Sequence, residues 1–459
     1  MKRLLAFLLI LGAAGVAVVG YLAILRERQF RQLIAEGDAA LARDDTFVAI
    51  ESYTGAITLK PGSMLSYLRR GETYQRRGDV PAAQRDLRHA VELDPSAGLA
   101  RERLGDLSYA QRRFATAAEH YAQCVSLDDE SPRVQYKLGL SWYRAGRPAE
   151  AAAPLARAVA LDERFAEAHY LYGLTLRDLR RVDGAIAELR RAVALSPAMV
   201  QARTELADLY QSLGSENDAL RELEALAALE GRPERQVALG LAYARSGEAD
   251  RAVLTLSNAV ERFPEHTAAY IALGRVWLES ASGRDDRIAL RKAVEALEGA
   301  IAAGADGSQV LTLLGRAELV GGSADKAERL LKDAASRVPL DPDALLFLAD
   351  AAERLGHIDL ARRALVSYRT LEDEDAAVAL GRAAPDRIAR LAAQAGLWAE
   401  AAVWYRRAAA ESDDAQLLGR LADAEWRAGD LAAARGTLAR ALMLAPRDRM
   451  LNELAQRMR

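Results

Sequence analysis

Small and apolar side chains recur along this chain with a period close to 34 residues. A small residue stands at Gly37, Gly71, Gly105, Gly139, Gly173, Ala207, Gly240, Gly274, Gly315, Ala349, Ala389 and Ala422. The first six are spaced by 34, and the later intervals are 33, 34, 41, 34, 40 and 33. Twelve positions after most of them comes an alanine, as in Ala49, Ala83, Ala117, Ala151 and Ala185. Four positions further on is a large apolar residue: Tyr53, Leu87, Tyr121, Leu155, Leu189, Leu223, Leu256, Leu297, Leu331, Leu365, Tyr405 and Leu438. Between these marks apolar residues fall three and four apart, the spacing of one face of an α-helix. Each unit therefore predicts two amphipathic helices. In the fourth, Arg133 to Arg144 forms the first helix, Gly146-Arg147-Pro148 the turn, and Ala149 to Ala160 the second.

A lone hairpin cannot bury its apolar face, so neighbouring units must stack. Glycine or alanine where the two helices cross lets them approach closely. Many units close on a proline (Pro61, Pro95, Pro197, Pro264, Pro339, Pro446), which cannot continue a helix. This punctuation excludes a seven-residue coiled-coil period. In the eighth unit seven extra residues between Glu279 and Leu290 displace the alanine to Ala293, leaving a bend or a surface loop. A second irregularity, Leu371 to Ala384, carries the acidic run Glu372-Asp373-Glu374-Asp375, which reads as solvated charge. Beyond Pro446, Met450, Leu451, Leu454 and Met458 share one face of a short terminal helix.

The ordered set of small residue, alanine, large apolar residue and closing proline resembles the tetratricopeptide repeat family over roughly residues 30 to 447. The family's initial tryptophan is mostly replaced here, by Leu33, Tyr67, Gln135 or His169. The resemblance implies an all-α, right-handed superhelical solenoid of about twelve helix-turn-helix repeats, with residues 448–459 as a capping helix. It also implies that the first helix of each unit lines a concave groove. In the third to fifth units the groove positions include Tyr109, Tyr136, Tyr143, Arg144, Tyr170 and Arg177. Tyrosine and arginine are enriched among residues that dominate interface energy, so a peptide or helical segment of another protein is the expected occupant. The competing reading is that some of these tyrosines simply fill space between helices. Clamping of a terminal carboxylate by paired lysine and asparagine is disfavoured, because no asparagine occupies a groove position.

The first 29 residues pattern differently. Lys2 and Arg3 precede an uncharged run from Leu4 to Leu25, closed by Arg26, Glu27 and Arg28. Twenty-two such residues match the roughly 20 a helix needs to cross a bilayer. The expectation is an uncleaved anchor rather than a cleaved signal peptide, because apolar residues continue past the small-x-small sequence Gly15-Val16-Ala17. A bacterial inner-membrane protein with a periplasmic array follows from that reading.

Composition narrows the chemistry. Net charge is −3 and no basic face stands out, which argues against nucleic acid as a partner. The single cysteine, Cys124, falls where other units carry Ala56, Ala90, Ala158 and Ala192, and reads as a small packing residue. The five histidines are scattered, with no metal-ligand spacing, and no phosphate loop or nucleophile elbow is present. No enzyme activity, metal or cofactor is expected. The function expected is a membrane-anchored scaffold for assembling a bacterial envelope complex; the alternative is an accessory subunit of an envelope enzyme such as a glycan synthase.

Overall fold

Turn chemistry closes the predicted hairpins one by one. In the fourth, the first helix ends at Arg144 and the second starts at Pro148, with Gly146 between them at φ 74°. That left-handed conformation suits a residue without a Cβ. In the second, Gly78 turns the chain at φ 84°, and the Asp79 carboxylate accepts the Ala82 N–H at 3.2 Å, capping the helix that follows.

The computed structural model describes residues 2–284, 286–371, 385–410, 412 and 414–458, with the backbone alone for 2–14 and 282–284. It contains twenty-five helices and no strand among the described residues. The first three hairpins are α1 (Lys2–Ala42) with α2 (Thr46–Leu59), α3 (Met64–Arg77) with α4 (Val80–Leu93), and α5 (Gly98–Ala110) with α6 (Phe114–Leu127). Next come α7 (Pro132–Arg144) with α8 (Pro148–Leu161) and α9 (Ala166–Asp178) with α10 (Val182–Leu195). Then follow α11 (Val200–Ser212), α12 (Glu216–Leu229), α13 (Pro233–Arg245), α14 (Ala249–Arg262), α15 (Thr267–Arg284) and α16 (Arg287–Ala302). The array continues with α17 (Ser308–Val320), α18 (Ala324–Ser336), α19 (Asp343–Arg354) and α20 (Ile358–Leu371). It ends with α21 (Pro385–Gln394), α22 (Trp398–Ala410), α23 (Ala415–Arg427), α24 (Leu431–Leu444) and α25 (Arg449–Arg457). These helices form two compact units, residues 1–215 and 216–459.

One packing motif repeats within both units. Ala49, Ala83, Ala117, Ala151, Ala185, Ala252, Ala293, Ala327, Ala361, Ala401 and Ala434 all have zero exposure, as the 34-residue pattern requires. The large apolar side chain four positions on lies directly over the small residue of the partner helix. A Cβ added at Gly173 would lie 2.7 Å from Leu189 Cγ and 3.2 Å from the Ala185 carbonyl oxygen. Tyr53 covers Gly37 and Tyr121 covers Gly105; Leu256, Leu297 and Leu331 cover Gly240, Gly274 and Gly315. The glycines thus make room for a side chain as well as for a close helix crossing. Two of the tyrosines add a polar bond: the Tyr53 hydroxyl donates to Asp38 and the Tyr121 hydroxyl to Asp106, each at 2.7 Å.

The seven-residue insertion does not form the expected loop along most of its length. It lengthens the helices on both sides, so α15 runs on to Arg284, and the Asp286 carboxylate caps α16 through the Ile288 and Ala289 N–H groups. Because both extensions continue the helical register, Leu297 still reaches Gly274. The acidic run at 372–375 lies outside the described residues. In the terminal helix α25, Leu451 is buried and Leu454 half-buried, and Met458 just past its end is buried, but Met450 is 72% exposed. Met450 therefore leaves the buried face that spacing gave it.

The N-terminal segment requires a correction. Among the described residues no helix is long and apolar enough to cross a membrane. This overturns the expected single-pass inner-membrane anchor, and with it the periplasmic placement of the array. The uncharged run is the leading part of a single 41-residue helix, α1, Lys2–Ala42. The helix then passes without a break through Arg26, Glu27 and Arg28 into the first hairpin, where Phe30 and Ala40 are buried.

Candidate functional site

The first unit carries a ladder of alternating charges on the first helices of its hairpins. Arg69 lies 3.7 Å from Asp38 and 3.3 Å from Glu72, and Arg103 lies 2.8 Å from Glu72 and 3.4 Å from Asp106. Lys137 donates to Asp106 at 2.6 Å and to Glu102 at 2.7 Å, and Arg133 also pairs with Glu102. Asp38, Glu72 and Asp106 each directly follow the small residue of their unit. In the fourth hairpin that position is Leu140, and there the charges give way to aromatic rings.

Tyr109 and Tyr136 line one cavity of about 410 Å³, together with Leu140, Phe165, Lys137 and Asp106. Phe165 holds Tyr136 with ring centroids 4.9 Å apart, and Phe114 packs edge-on against Tyr109 at 5.2 Å. Neither tyrosine hydroxyl makes a hydrogen bond among the described residues. Burial raises the Tyr136 pKa, and burial likewise raises that of Tyr170, so both remain neutral donors. The guanidinium of Arg144 is exposed, makes no ion pair among the described residues, and is near enough to bias both hydroxyls electrostatically.

The remaining two candidates are already engaged. Tyr143 hydrogen-bonds Asp178, and burial together with that bond pushes its pKa up to about 12. Arg177 donates to Asp178 at 2.9 and 3.0 Å and pairs with Glu205. The run Tyr143–Asp178–Arg177–Glu205 ties α7, α9 and α11 together. Of the six groove candidates, then, Tyr109, Tyr136, Tyr170 and Arg144 have polar groups without a protein partner among the described residues, whereas Tyr143 and Arg177 hold the scaffold. Leu140 and Phe165 were missed in the sequence. The available signal was the leucine at a position where three earlier units carry a carboxylate.

Cys124 is 6% exposed, its thiol donates to the Gly98 carbonyl at 3.3 Å, and burial pushes its pKa up to about 11. Such a thiol is poorly ionised and serves packing.

Stacked helical hairpins with an aromatic and, among the described residues, partly unpaired polar surface define an α-helical repeat protein of the protein-interaction class. Tetratricopeptide repeat models match residues 68–132, 136–200 and 312–371, and a further one matches 233–276; the chain belongs to the tetratricopeptide repeat family. It is similar to the solved structure of YrrB, described as a TPR protein with an unusual peptide-binding site. The two share 22% identity and a TM-score of 0.38, over 40% of this chain and 94% of that one. It is also similar to Pseudomonas aeruginosa pilF, with 18% identity and a TM-score of 0.38, over 45% and 94% of the two chains. Yeast Tom70 matches at 14% identity and a TM-score of 0.36, over 76% and 93%. No curated protein matches the chain.

Proposed function

We propose that this protein is a scaffold that binds segments of other proteins in the groove of its third to fifth hairpins. The observation that carries the reading is the shared cavity of Tyr109 and Tyr136 beside the unpaired Arg144. Tyrosine gives a large contact area at little cost in side-chain entropy, with a hydroxyl to orient the ligand, and arginine recognises carbonyl or carboxylate groups with a planar fork. Phe165 and Leu140 supply the apolar floor. A peptide or helical segment with an aromatic or aliphatic anchor next to a carboxylate or exposed carbonyl fits this set.

The finer form of the reading is assembly of a bacterial envelope complex, or alternatively service as an accessory subunit of an envelope enzyme. A composition rich in arginine and poor in asparagine, as in proteins from GC-rich bacterial genomes, agrees with the bacterial setting of both.

Peptides selected from a displayed random library on the full chain test the groove. The double variant Tyr109→Ala/Tyr136→Ala should bind them more weakly by at least about 2 kcal/mol, the scale of an interface hot spot, with helical content and melting unchanged. A folded double variant that holds the selected peptides at wild-type affinity would remove this site.

A further inference from the structure

A third tyrosine occupies the position of Tyr53 and Tyr121, but its partner has changed sign. Tyr405, in α22, stands sixteen positions after the small residue Ala389 of its own hairpin, in register with the other two. In the first and third hairpins the residue after the small one is Asp38 or Asp106, which accepts the tyrosine hydroxyl at 2.7 Å. In this hairpin it is Arg390, which leans 3.6 Å toward Asp386. Tyr405 is only 4% exposed, yet its hydroxyl makes no hydrogen bond among the described residues. The ring is buried while the oxygen keeps access to solvent, so water or a ligand group can accept from it.

The hydroxyl opens into a cavity of about 400 Å³ that Tyr405 lines with Trp398, Arg420, Asp423, Arg427 and Leu454. The acidic groups around it are occupied. Asp423 pairs with Arg427 at 3.0 Å, and Arg427 also lies over the Trp398 ring at 4.3 Å. Asp448 caps the Leu451 N–H at 3.1 Å, and Glu453 pairs with Arg449 at 2.8 Å. Arg420 has no hydrogen-bond or ion-pair partner among the described residues, and it is the charge that acts most strongly on the Tyr405 hydroxyl. The cavity thus joins a hydroxyl with no protein acceptor among the described residues, an unpaired cation and an aromatic wall, while its own carboxylates, Asp423, Asp448 and Glu453, are engaged elsewhere.

We propose that this cavity binds an acidic side chain, aspartate or glutamate, of an extended segment of a partner protein: its carboxylate accepts the Tyr405 hydroxyl and pairs with Arg420. The acceptor is a side-chain carboxylate because that is the group that fills the same place beside Tyr53 and Tyr121. This site lies in the second unit, so its failure would leave the groove of the third to fifth hairpins untouched.

The test uses the full chain with ¹³C-labelled tyrosine rings, the Tyr405 signal being assigned by its loss in Tyr405→Phe. Three blocked probes are titrated: acetyl-Gly-Gly-Glu-Gly-Gly-amide, the same peptide with Gln, and acetyl-pentaglycine ending in a free carboxylate. The Glu peptide should shift the Tyr405 signal saturably, and the Gln peptide should bind about tenfold more weakly or worse, as loss of a charge-assisted bond requires. Arg420→Ala should weaken the Glu peptide by a similar factor. So should Arg390→Asp, which restores an internal acceptor, with melting unchanged in both. Three results would overturn the proposal: equal binding of the Glu and Gln peptides, tighter binding of the free-carboxylate peptide, or no saturable Tyr405 shift up to about 10 mM.

Discussion

At Gly173 the absence of one carbon decides how closely α9 and α10 pack. Gly173→Ala would set a methyl 2.7 Å from Leu189 Cγ, at a side chain with no exposure and no room to retreat. Overpacking of this kind costs about 1–3 kcal/mol, so urea melting should move to a lower midpoint with an unchanged slope. The tyrosines that share one register position give a sharper comparison. Tyr121→Phe removes a hydrogen bond to Asp106 and should cost about 0.5–1.5 kcal/mol. The low end applies, because Lys137 and Arg103 still satisfy that carboxylate. Tyr405→Phe removes a solvent-accessible hydroxyl that has no protein acceptor among the described residues and should change stability by less than about 0.5 kcal/mol. Equal losses for the two variants in parallel urea melts would contradict this difference.

Between neighbouring hairpins, buried charge ties one element to the next. Glu328 on α18 is 6% exposed and accepts from Lys332 at 2.6 Å, and His357, just ahead of α20, bonds it at 2.7 Å. Burial alone would raise its pKa, but the bonds from Lys332 and His357 outweigh burial and hold the carboxylate below its ordinary 4.5. A carboxyl whose folded-state pKa is depressed contributes stability that is complete above its unfolded value. That contribution is lost as pH falls through the folded value. Stability should therefore decline below about pH 4.5 more steeply in the wild type than in Glu328→Gln, as denaturant melts across pH 3–6 would show. Parallel declines would mean that the link carries no pH-dependent stability. The charge ladder from Asp38 to Glu102 joins the first four hairpins in the same manner, and its end at Leu140 is where the aromatic cavity begins.

Over the molecule as a whole, stability is a sum over units and the interfaces between nearest neighbours. Ala151→Leu, at a fully buried position of α8, should loosen its own hairpin first and the adjacent ones next. Hydrogen exchange should quicken across α5 to α10, while α13 to α24 keep wild-type protection. Unchanged protection in α7 and α8 would show that this position does not set their packing.

The hairpins and their core were legible in the sequence because one spacing rule fixes them locally. A small residue, an alanine twelve on and a large residue four further on pack within one hairpin, so recurrence alone locates Gly139, Ala151 and Leu155. Even the insertion in the eighth unit kept that register, through Ala293 and Leu297. The candidate site was legible only as a list of inward positions. Which of those side chains are available to a ligand depends on residues from other hairpins, some 28 to 35 positions away. Arg177 is taken up by Glu205 and Tyr143 by Asp178, whereas Tyr136 meets Phe165 and leaves its hydroxyl unpaired. The sequence thus determined which residues repeat and therefore which are buried, since both follow from helical period and side-chain size. Only the tertiary structure decided which polar groups at the candidate positions are already satisfied and which lack a partner among the described residues, because hydrogen bonds and ion pairs depend on distances between hairpins that no periodicity encodes.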